Sequence, residues 1–319
     1  MAASGWTRIV PVICATVVAQ LAWAQNYPTR PIRVVTTPAG GNSDFAARLI
    51  AQGLMPVFNQ QLIVDNRGGG ILAMEIVAKA PADGHTLLYI GSTMWLLPLM
   101  REVSYDAVRD FTPVTLALNS PGLLAVNASL PAKSVKDLIA LAKARPGVLN
   151  YGSGTAGGPA HLSVELLKSL AGLDIVRVPF KGTGGALTAL IAGEIQLLMS
   201  SSASVAPHIK SGKVRVMAVT GAKRSASFPD LPTVAESGVP GYEYGQMSGI
   251  FAPAKTPAAI VDRLSRETAR FVNLPDVRQK LFNTGADPEG TTPQEAAARI
   301  KSEIVRLGKV IKDANIREE

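Results

Sequence analysis

The sequence predicts an α/β protein with a mostly parallel sheet covered by helices on both faces. Two observations carry the prediction: short β-branched runs alternate with helical runs, and glycine-rich turns join several strands to the next helix. The length of 319 residues is a third observation, because it suggests two domains rather than one. A hydrophobic content of 47% is enough for large cores that need neither disulfides nor metals.

The first strand–turn–helix unit organises the chain. Residues 32–50 predict a short strand, a glycine turn and the start of a helix in which Phe45 follows the helical apolar spacing. Asn42 or Ser43 suits the N-cap, and Asp44 suits the positive end of the helix dipole. Such a turn lets backbone N–H groups approach an anion, so the unit predicts an anion-binding helix start. The alternative is an ordinary connection in an α/β sheet.

The same pattern returns twice in the middle of the chain. One turn follows a strand that ends at Ser153 and leads to Pro159, at the first position of a helix; the other is Lys181–Gly185. Residues 152–157 match the G-x-G-x-x-G spacing of dinucleotide-binding proteins. Asp174, however, precedes the next strand instead of ending it, so the acid that should hold the ribose is misplaced. The pattern therefore gives little support to a dinucleotide site.

The remaining elements follow from periodicity and turn signals. Further strands are predicted at residues 61–65, 85–90, 123–126, 195–199, 214–219 and 250–254, and further helices at 71–80, 135–144, 186–192, 257–272, 275–284 and 293–314.

The first 24 residues have the features of a secretory signal peptide. Arg8 precedes a short apolar run, and Ala22-Trp23-Ala24 forms an A-x-A cleavage site, so we expect cleavage after Ala24 and a soluble periplasmic protein. The only cysteine, Cys14, lies in this segment and lacks the small preceding residue typical of a lipidated cysteine. The net charge of +8 could indicate nucleic acid. Export and a 5% aromatic content argue against that partner.

Candidate catalytic and metal-binding residues are few. His161 and Glu165 share a helix face, but two ligands do not make a metal site, so His161 is more typical of a packing or capping residue. No G-x-S-x-G elbow or P-loop is present. A Ser153/His161 pair leaves an exported hydrolase open as an alternative. Turns rich in small residues and hydroxyls, with Lys181 nearby, fit the binding of a small carboxylate better, with no metal or cofactor.

Several motifs in order resemble one family, the Bug-type periplasmic solute receptors of tripartite tricarboxylate transporters. The resemblance runs from Tyr27 to the C-terminus, and its marks are Pro38–Asp44 with Ala47-Arg48, Asp65-Asn66-Arg67, Asp83-Gly84, Tyr105-Asp106, Tyr151-Gly152-Ser153, His161-Leu162, Val178–Gly182, Leu231–Val234 and Ala252-Pro253-Ala254. It implies a periplasmic-binding-protein-like (Venus flytrap) fold of two α/β domains joined by two crossovers. We expect residues 25–121 and 249–319 in the first domain and 122–248 in the second.

The resemblance also implies a receptor, not an enzyme, that binds an organic carboxylate between the domains and delivers it to membrane transporter subunits. A receptor that feeds a sensory system is the alternative within the same fold, and we expect a monomer. The positions carried over are Ala39, Gly40, Gly41, Asn42 and Ser43, with Asp44 shaping the turn, and Ser153, Gly154, Thr155, Ala156 and Gly157. We add Ser92, Thr93, His161, Lys181, Ser200 and Met247 as further candidate ligand-binding residues.

Three positions bear on the ligand. Ser200 stands where many members, amino-acid binders among them, have an aspartate, so an ammonium group would lack its partner. Met247 replaces a common tryptophan, and Trp95 lies in an apolar loop; if either faces the cleft, it favours a ligand with an apolar or aromatic body. Core packing is the alternative for Trp95. A di- or aromatic carboxylate is therefore favoured over citrate or glutamate.

Overall fold

The structure is a computed structural model that describes residues 27–40, 42–68, 71–154, 156–209, 211–225 and 228–317. The predicted signal peptide lies outside these residues, as do Gly41 and Thr155 of the two predicted binding turns. Within the described ranges, no helix is both long enough and apolar enough to span a membrane. The same ranges contain no cluster of three or more His, Cys, Asp or Glu that could hold a metal ion.

Ten strands and ten α-helices make up the described chain. The strands are β1 (Ile32–Thr36), β2 (Leu62–Asn66), β3 (Thr86–Gly91), β4 (Phe111–Asn127), β5 (Asn150–Ser153), β6 (Val176–Pro179), β7 (Leu197–Ser201), β8 (Val214–Val219), β9 (Gly245–Pro253) and β10 (Asp287–Pro288). The helices are α1 (Asn42–Phe58), α2 (Leu72–Ala78), α3 (Thr93–Leu96), α4 (Val135–Ala144), α5 (Pro159–Ala171), α6 (Thr183–Ala192), α7 (Ser202–Ile209), α8 (Ala258–Val272), α9 (Pro275–Asn283) and α10 (Pro293–Asp313).

The sheet runs in the order β2-β1-β3-β9-β4-β7-β5-β6, with β8 and β10 also paired to β4. The pairs among β1, β2 and β3 are parallel, as are those of β5 with β6 and β7. Strand β4 connects the two parallel groups through antiparallel pairs. Its residues 111–121 pair with β9, and its residues 122–127 pair with β7 and β8. We call the two parts of the sheet the first half and the second half.

Helix boundaries follow local chemistry. Helix α4 begins where the Ser134 hydroxyl accepts a hydrogen bond from the backbone N–H of Asp137. Helix α5 has Pro159 at its first turn and ends at Gly172, which adopts the left-handed conformation (φ 62°). Helix α10 starts with a capping box formed by Thr292 and Glu295. These signals are visible in the sequence, so these three helices lie where the periodicity predicts them.

The core is divided into three clusters of buried apolar side chains. One packs α1 and α8 against the first half of the sheet, and one lies around α6 in the second half. The third extends across both halves and includes Leu97, Met100, Leu162 and Ile316. Helix α10 packs against β4 and also against α5, so the C-terminal helix connects the two halves.

One apolar residue of α1 lies outside the core. Phe45 follows the helical apolar spacing, but its side chain is 44% exposed instead of packed in the core. Ala46, Ala47 and Leu54 are the buried residues that hold α1 against the sheet. Phe45 borders a pocket that is described below.

Candidate ligand-binding site

The turn between β1 and α1 is held by the carboxylate of Asp44. Its Oδ2 accepts the backbone N–H of Gly40 at 3.0 Å, and its Oδ1 accepts Arg48 Nε and Asn66 Nδ2, both at 2.8 Å. Asn66 Nδ2 also donates to the carbonyl of Thr37 at 2.8 Å. The backbone hydrogen bond from Gly40 and the amide of Asn66 lower the pKa of Asp44 below its usual value. Asp44 therefore uses its charge inside the protein to shape the turn.

Beside this turn lies a pocket that we call the first front pocket. Its cavity is about 560 Å³, including the solvent at its mouth. The start of α1, the end of β3, the middle of β4, the beginning of β9 and the segment after α9 line it. The lining residues are Asn42, Ser43, Phe45, Ala46, Gly91, Leu118, Ser120, Gln246, Ser248, Thr284 and Ala286. Two of the predicted binding residues, Asn42 and Ser43, thus border a cavity at a helix start.

The turn between β5 and α5 is built differently. The Ser153 hydroxyl is buried and accepts Arg177 Nε at 2.7 Å, and Arg177 also donates to the carbonyl of Gly154 at 3.1 Å. Gly157 has φ +70° and directs its N–H to Nδ1 of His161 at 3.0 Å. A Cβ on Gly157 would lie 2.1 Å from the sulfur of Met100, so a side chain there would bear the strain of a left-handed backbone and would displace the end of the Met100 side chain.

His161 supports the turn from the helix. Burial and the nearby Arg177 charge lower the pKa of His161 to about 4, so the ring is neutral at pH 7 and Nδ1 can accept the Gly157 N–H. Glu165 accepts hydrogen bonds from Tyr151 and Lys168 instead of joining His161 at a metal. Within the described chain, Ser153 and His161 each have another hydrogen-bond partner, and no hydrogen bond joins them. His161 therefore supports the turn between β5 and α5 through its hydrogen bond to Gly157.

A second front pocket lies between this turn and the first half. Its cavity is about 610 Å³, including solvent at the mouth. It is lined by Ser92, Thr93, Leu96, Leu97, Met100, Ala156, Gly157, Gly158, Pro159, Leu162, Tyr244 and Gln246. This cavity brings together four of the predicted binding residues, Ser92, Thr93, Ala156 and Gly157. Residues that bind one ligand must lie around one cavity in this way. Among the described residues that line either front pocket, none has a charged side chain.

Strands β4 and β9 cross between the two halves and pair with each other as a ribbon with two distinct faces. In the β4–β9 register, Leu118 pairs with Ser248 and Ser120 with Gln246, and all four line the first front pocket. The intervening pairs, Asn119 with Met247 and Pro121 with Gly245, belong to the opposite face. Asn119, Gly245 and Met247 there border a separate back pocket with Arg299, Glu303 and Arg306. Directly opposed residues share a face, so the alternation follows from the register.

The two apolar candidates do not face the front pockets. Trp95 is 1% exposed, packs near Phe251 and donates its indole N–H to Glu303 Oε2 at 2.5 Å. The core-packing alternative therefore describes Trp95. Met247 is buried and borders the back pocket, and its backbone carbonyl accepts a hydrogen bond from the Ser92 hydroxyl at 3.3 Å. Phe45, Leu96 and Met100 supply the apolar surface of the front pockets instead.

The other candidates lie around the pockets, not on their walls. Ser200 is the penultimate residue of β7, near the same carboxyl edge of the parallel strands as Ser153. Its buried hydroxyl oxygen has no hydrogen-bond partner among the described residues. Lys181 is exposed in the turn before α6, whose Gly182 packs closely on Gly154. Ala39 and Gly40 belong to the first turn but line neither front pocket.

Sequence reasoning missed Gln246, Ser120 and Phe45, because it took its candidates from glycine-rich turns and from positions matched to the family. Strand alternation predicts that Gln246 and Met247 face opposite sides, but it does not say which of them borders the pockets.

An α/β fold with a cleft bordered by helix starts from both halves is that of a periplasmic solute-binding protein. A family model described as tripartite tricarboxylate transporter family receptor matches residues 46–316, so the chain belongs to this family of solute-binding receptors, which are not enzymes. The Bug-type resemblance is confirmed, since BugT of Bordetella pertussis is 34% identical over 296 residues, 91% of this chain and 91% of that protein. The hydrolase alternative is therefore not supported.

Two solved structures are similar over most of the chain. Rpa4515 of Rhodopseudomonas palustris, solved with adipate, is 39% identical with a TM-score of 0.74, covering 91% of this chain and 99% of that one. MatC of Rhodopseudomonas palustris, solved with malate, is 33% identical with a TM-score of 0.68, covering 89% of this chain and 100% of that one. The predicted periplasmic-binding-protein-like α/β class is thus confirmed. The sheet is mixed instead of mostly parallel, because β4 and β9 pair antiparallel with their neighbours.

Proposed function

We propose that this protein is a periplasmic receptor that binds a small organic carboxylate, of the di- or aromatic class, in a cleft between two domains. The domains would comprise residues 25–121 with 249–319, and residues 122–248. It would deliver the ligand to the membrane subunits of a tripartite tricarboxylate-type transporter. The observation that carries the proposal is the pair of front pockets, which border the starts of α1 and α5 and are lined without charged side chains in the described chain.

Helix starts explain how such pockets would bind an anion. The first turn of a helix exposes backbone N–H groups and carries a partial positive charge. In the proposal, the start of α1 receives one carboxylate of the ligand, and the start of α5 receives its other end. Hydroxyl and amide groups of Asn42, Ser43 and Thr93 add donors at the same edges. The predicted contributions of Gly41 and Thr155 belong to the same two turns.

The side chains that line the front pockets also indicate which chemical groups the rest of the ligand carries. An ammonium group moved out of water needs an anionic partner, and none of the described front-pocket residues is acidic. Phe45, Leu96 and Met100 offer apolar surface to a carbon chain or ring. The relatives solved with adipate and malate support dicarboxylates as the first compounds to test.

The test is a calorimetric and thermal-shift comparison on the mature protein. Adipate, malate, benzoate, citrate, aspartate and glutamate are compared, and the neutral diamide of adipic acid serves as the matched control for charge. We expect saturable binding of a di- or aromatic carboxylate, no binding of the diamide, and weaker binding of the amino acids. Binding of the diamide as tightly as adipate, or the strongest stabilisation by aspartate or glutamate, would contradict the proposal.

Delivery and export need cellular tests. Deletion of the gene should abolish uptake of the ligand identified by calorimetry, and the leaderless mature chain expressed in the cytoplasm should not restore it. Unchanged uptake in the deletion strain would favour the sensory alternative over transport.

Mass spectrometry of the periplasmic form should find Gln25 as the first residue; Met1 at the N-terminus or a lipid on Cys14 would contradict cleavage after Ala24.

A further inference from the structure

Gln246 is the residue that the two front pockets have in common within the described chain. It lies on β9, where its backbone is paired with Ser120 of β4, and its side chain is partly buried on the front face of the ribbon. Its Nε2 lies 3.8 Å from the point where a Cβ on Gly91 would be, so the side chain extends over the end of β3. The amide therefore stands between the start of α1 and the start of α5.

The side-chain amide of Gln246 has no hydrogen-bond partner within the described ranges, whereas neighbouring hydroxyls do. Ser248 Oγ is 3.0 Å from the hydroxyl of Tyr89, and Ser92 Oγ donates to the carbonyl of Met247 at 3.3 Å. These hydroxyls are used within the protein. The amide is polar, central and available, so it can meet a ligand in the cleft.

Position and chemistry together indicate what the amide would recognise. If the helix starts hold the two carboxylates, Gln246 meets the part of the ligand that joins them. An amide offers both a donor and an acceptor, so it pairs fully with a hydroxyl and through its N–H with an oxo group. A plain methylene leaves the amide unpaired once the cleft excludes water, and a site built to hydrogen-bond a substituent discriminates against the analogue that lacks it.

We propose that Gln246 is a specificity-determining residue that selects dicarboxylates with a neutral hydroxyl or oxo group between the two carboxylates. The proposal rests on the proposed function, because it needs a carboxylate at each helix start. It assigns Gln246 no role in holding the carboxylates themselves.

The test uses calorimetry with ligands matched in chain length. The pairs are succinate with malate, and adipate with 3-hydroxyadipate and 3-oxoadipate, each titrated into the wild type and Gln246→Leu. In the pair whose length fits the cleft, we expect the substituted ligand to bind the wild type about tenfold more tightly than the plain one. Gln246→Leu should reduce this ratio to within about threefold without weakening the plain ligand. The control is Gln61→Leu, an exposed glutamine just before β2, which should keep the wild-type ratio.

Each remaining outcome overturns the proposal in a distinguishable way. An equal loss for both members of a pair in Gln246→Leu would mean that the amide holds a carboxylate. Equal affinity of the wild type for the plain and the substituted ligand would mean that the amide recognises no group between the carboxylates. The proposed function would then still stand. No binding of any dicarboxylate to the wild type would overturn the proposed function together with this proposal.

Discussion

At the scale of single residues, Asp44 accounts for the shape of the first turn without lining the first front pocket. Its two oxygens accept hydrogen bonds from Gly40, Arg48 and Asn66. An ionised carboxylate in this position is stabilised by all three donors, and hydrogen bonds to charged groups are among the stronger ones in proteins. These contacts hold the turn in one shape, and in the proposed receptor a turn held in this way reduces the ordering cost of binding.

Asp44→Asn tests this organising role. The substituted amide places an N–H₂ group against at least one of the three donors, so we expect the free energy of unfolding to fall by about 1.5–3 kcal/mol. We also expect the affinity for the best dicarboxylate to fall about tenfold, since the disordered turn must be reordered on binding. Urea denaturation and calorimetry measure the two effects. Asp262→Asn, in an exposed position of α8, is the matched control, and unchanged affinity in Asp44→Asn would contradict the role.

The raised pKa of Glu303 predicts that the stability of the protein depends on pH. Burial raises its pKa to about 7 from an ordinary value of 4.5, although the Trp95 indole N–H and nearby Arg306 oppose the shift. The folded protein therefore holds this proton more tightly than the unfolded chain, so the Glu303 contribution to stability is lost as pH rises from 4.5 through 7. Below pH 4.5 both states are protonated and the contribution no longer changes with pH.

Glu303→Gln should remove this dependence, because a glutamine amide oxygen can still accept the Trp95 N–H but carries no charge. The difference in free energy of unfolding between the variant and the wild type should shift in favour of the variant by on the order of 2–3 kcal/mol from pH 5 to pH 8. Urea denaturation at the two pH values measures the gain. Glu194→Gln, in an exposed loop, should show no such gain, and an equal gain in both variants would point to a general charge effect.

At the scale of elements, the second turn depends on its contact with the loop after α3. A Cβ on Gly157 would clash with Met100, whereas a Cβ on Gly212, whose φ of +69° is nearly the same as the +70° of Gly157, would meet nothing within 4 Å. Both alanine variants bear the strain of a left-handed backbone, about 1 kcal/mol. Only Gly157→Ala also displaces a side chain of the other half.

The two glycines therefore form a matched pair. We expect Gly157→Ala to lower the free energy of unfolding by about 1 kcal/mol more than Gly212→Ala, at the low end for overpacking, because the flexible end of the Met100 side chain must shift. Combining Gly157→Ala with Met100→Ala should cancel most of that excess in a double-mutant cycle. Additive effects of the two substitutions would show that the clash is not the cause. Urea denaturation of the four variants and the wild type is sufficient.

Most elements could be predicted from the sequence, because their boundaries carry local signals. Helix α4 has the predicted bounds, and β8 does too. The long crossing strands were underestimated: β4 begins at Phe111 instead of Leu123, and β9 begins at Gly245 instead of Ile250. Bulges in the β4–β9 pairing interrupt simple alternation, and Pro113 and Pro121 obscure the strand. Helix α7, with Pro207 inside it, was missed for a similar reason.

Much less of the candidate site could be predicted. Glycine turns indicate where backbone N–H groups collect, and Asn42, Ser43, Ala156 and Gly157 do border the front pockets. Which wall a long side chain faces depends instead on tertiary register. Met247 and its neighbour Gln246 face opposite sides of the ribbon, and nothing in their local sequence states which side is the cleft.

At the scale of the whole molecule, we expect the cleft to close on its ligand by bending at the two crossing strands, near residues 120–123 and 247–250. Closure would exclude water and strengthen the contacts at both helix starts. Small-angle scattering at saturating dicarboxylate should show a smaller radius of gyration than the free protein. The neutral diamide should leave the radius unchanged, and an unchanged radius with a saturating dicarboxylate would contradict closure.

The two faces of the crossing ribbon also limit how the gene can evolve. Substitutions at Ser120, Gln246 or Ser248 change the cleft and leave Asn119 and Met247 packed behind it. A one-residue deletion before Gln246 would exchange the faces of the residues beyond it, bringing the Met247 side chain to the cleft and sending a polar neighbour into the buried side. Under the proposed function, point mutations on the front face would change the ligand, while a change in the spacing of this strand would disturb the buried face as well.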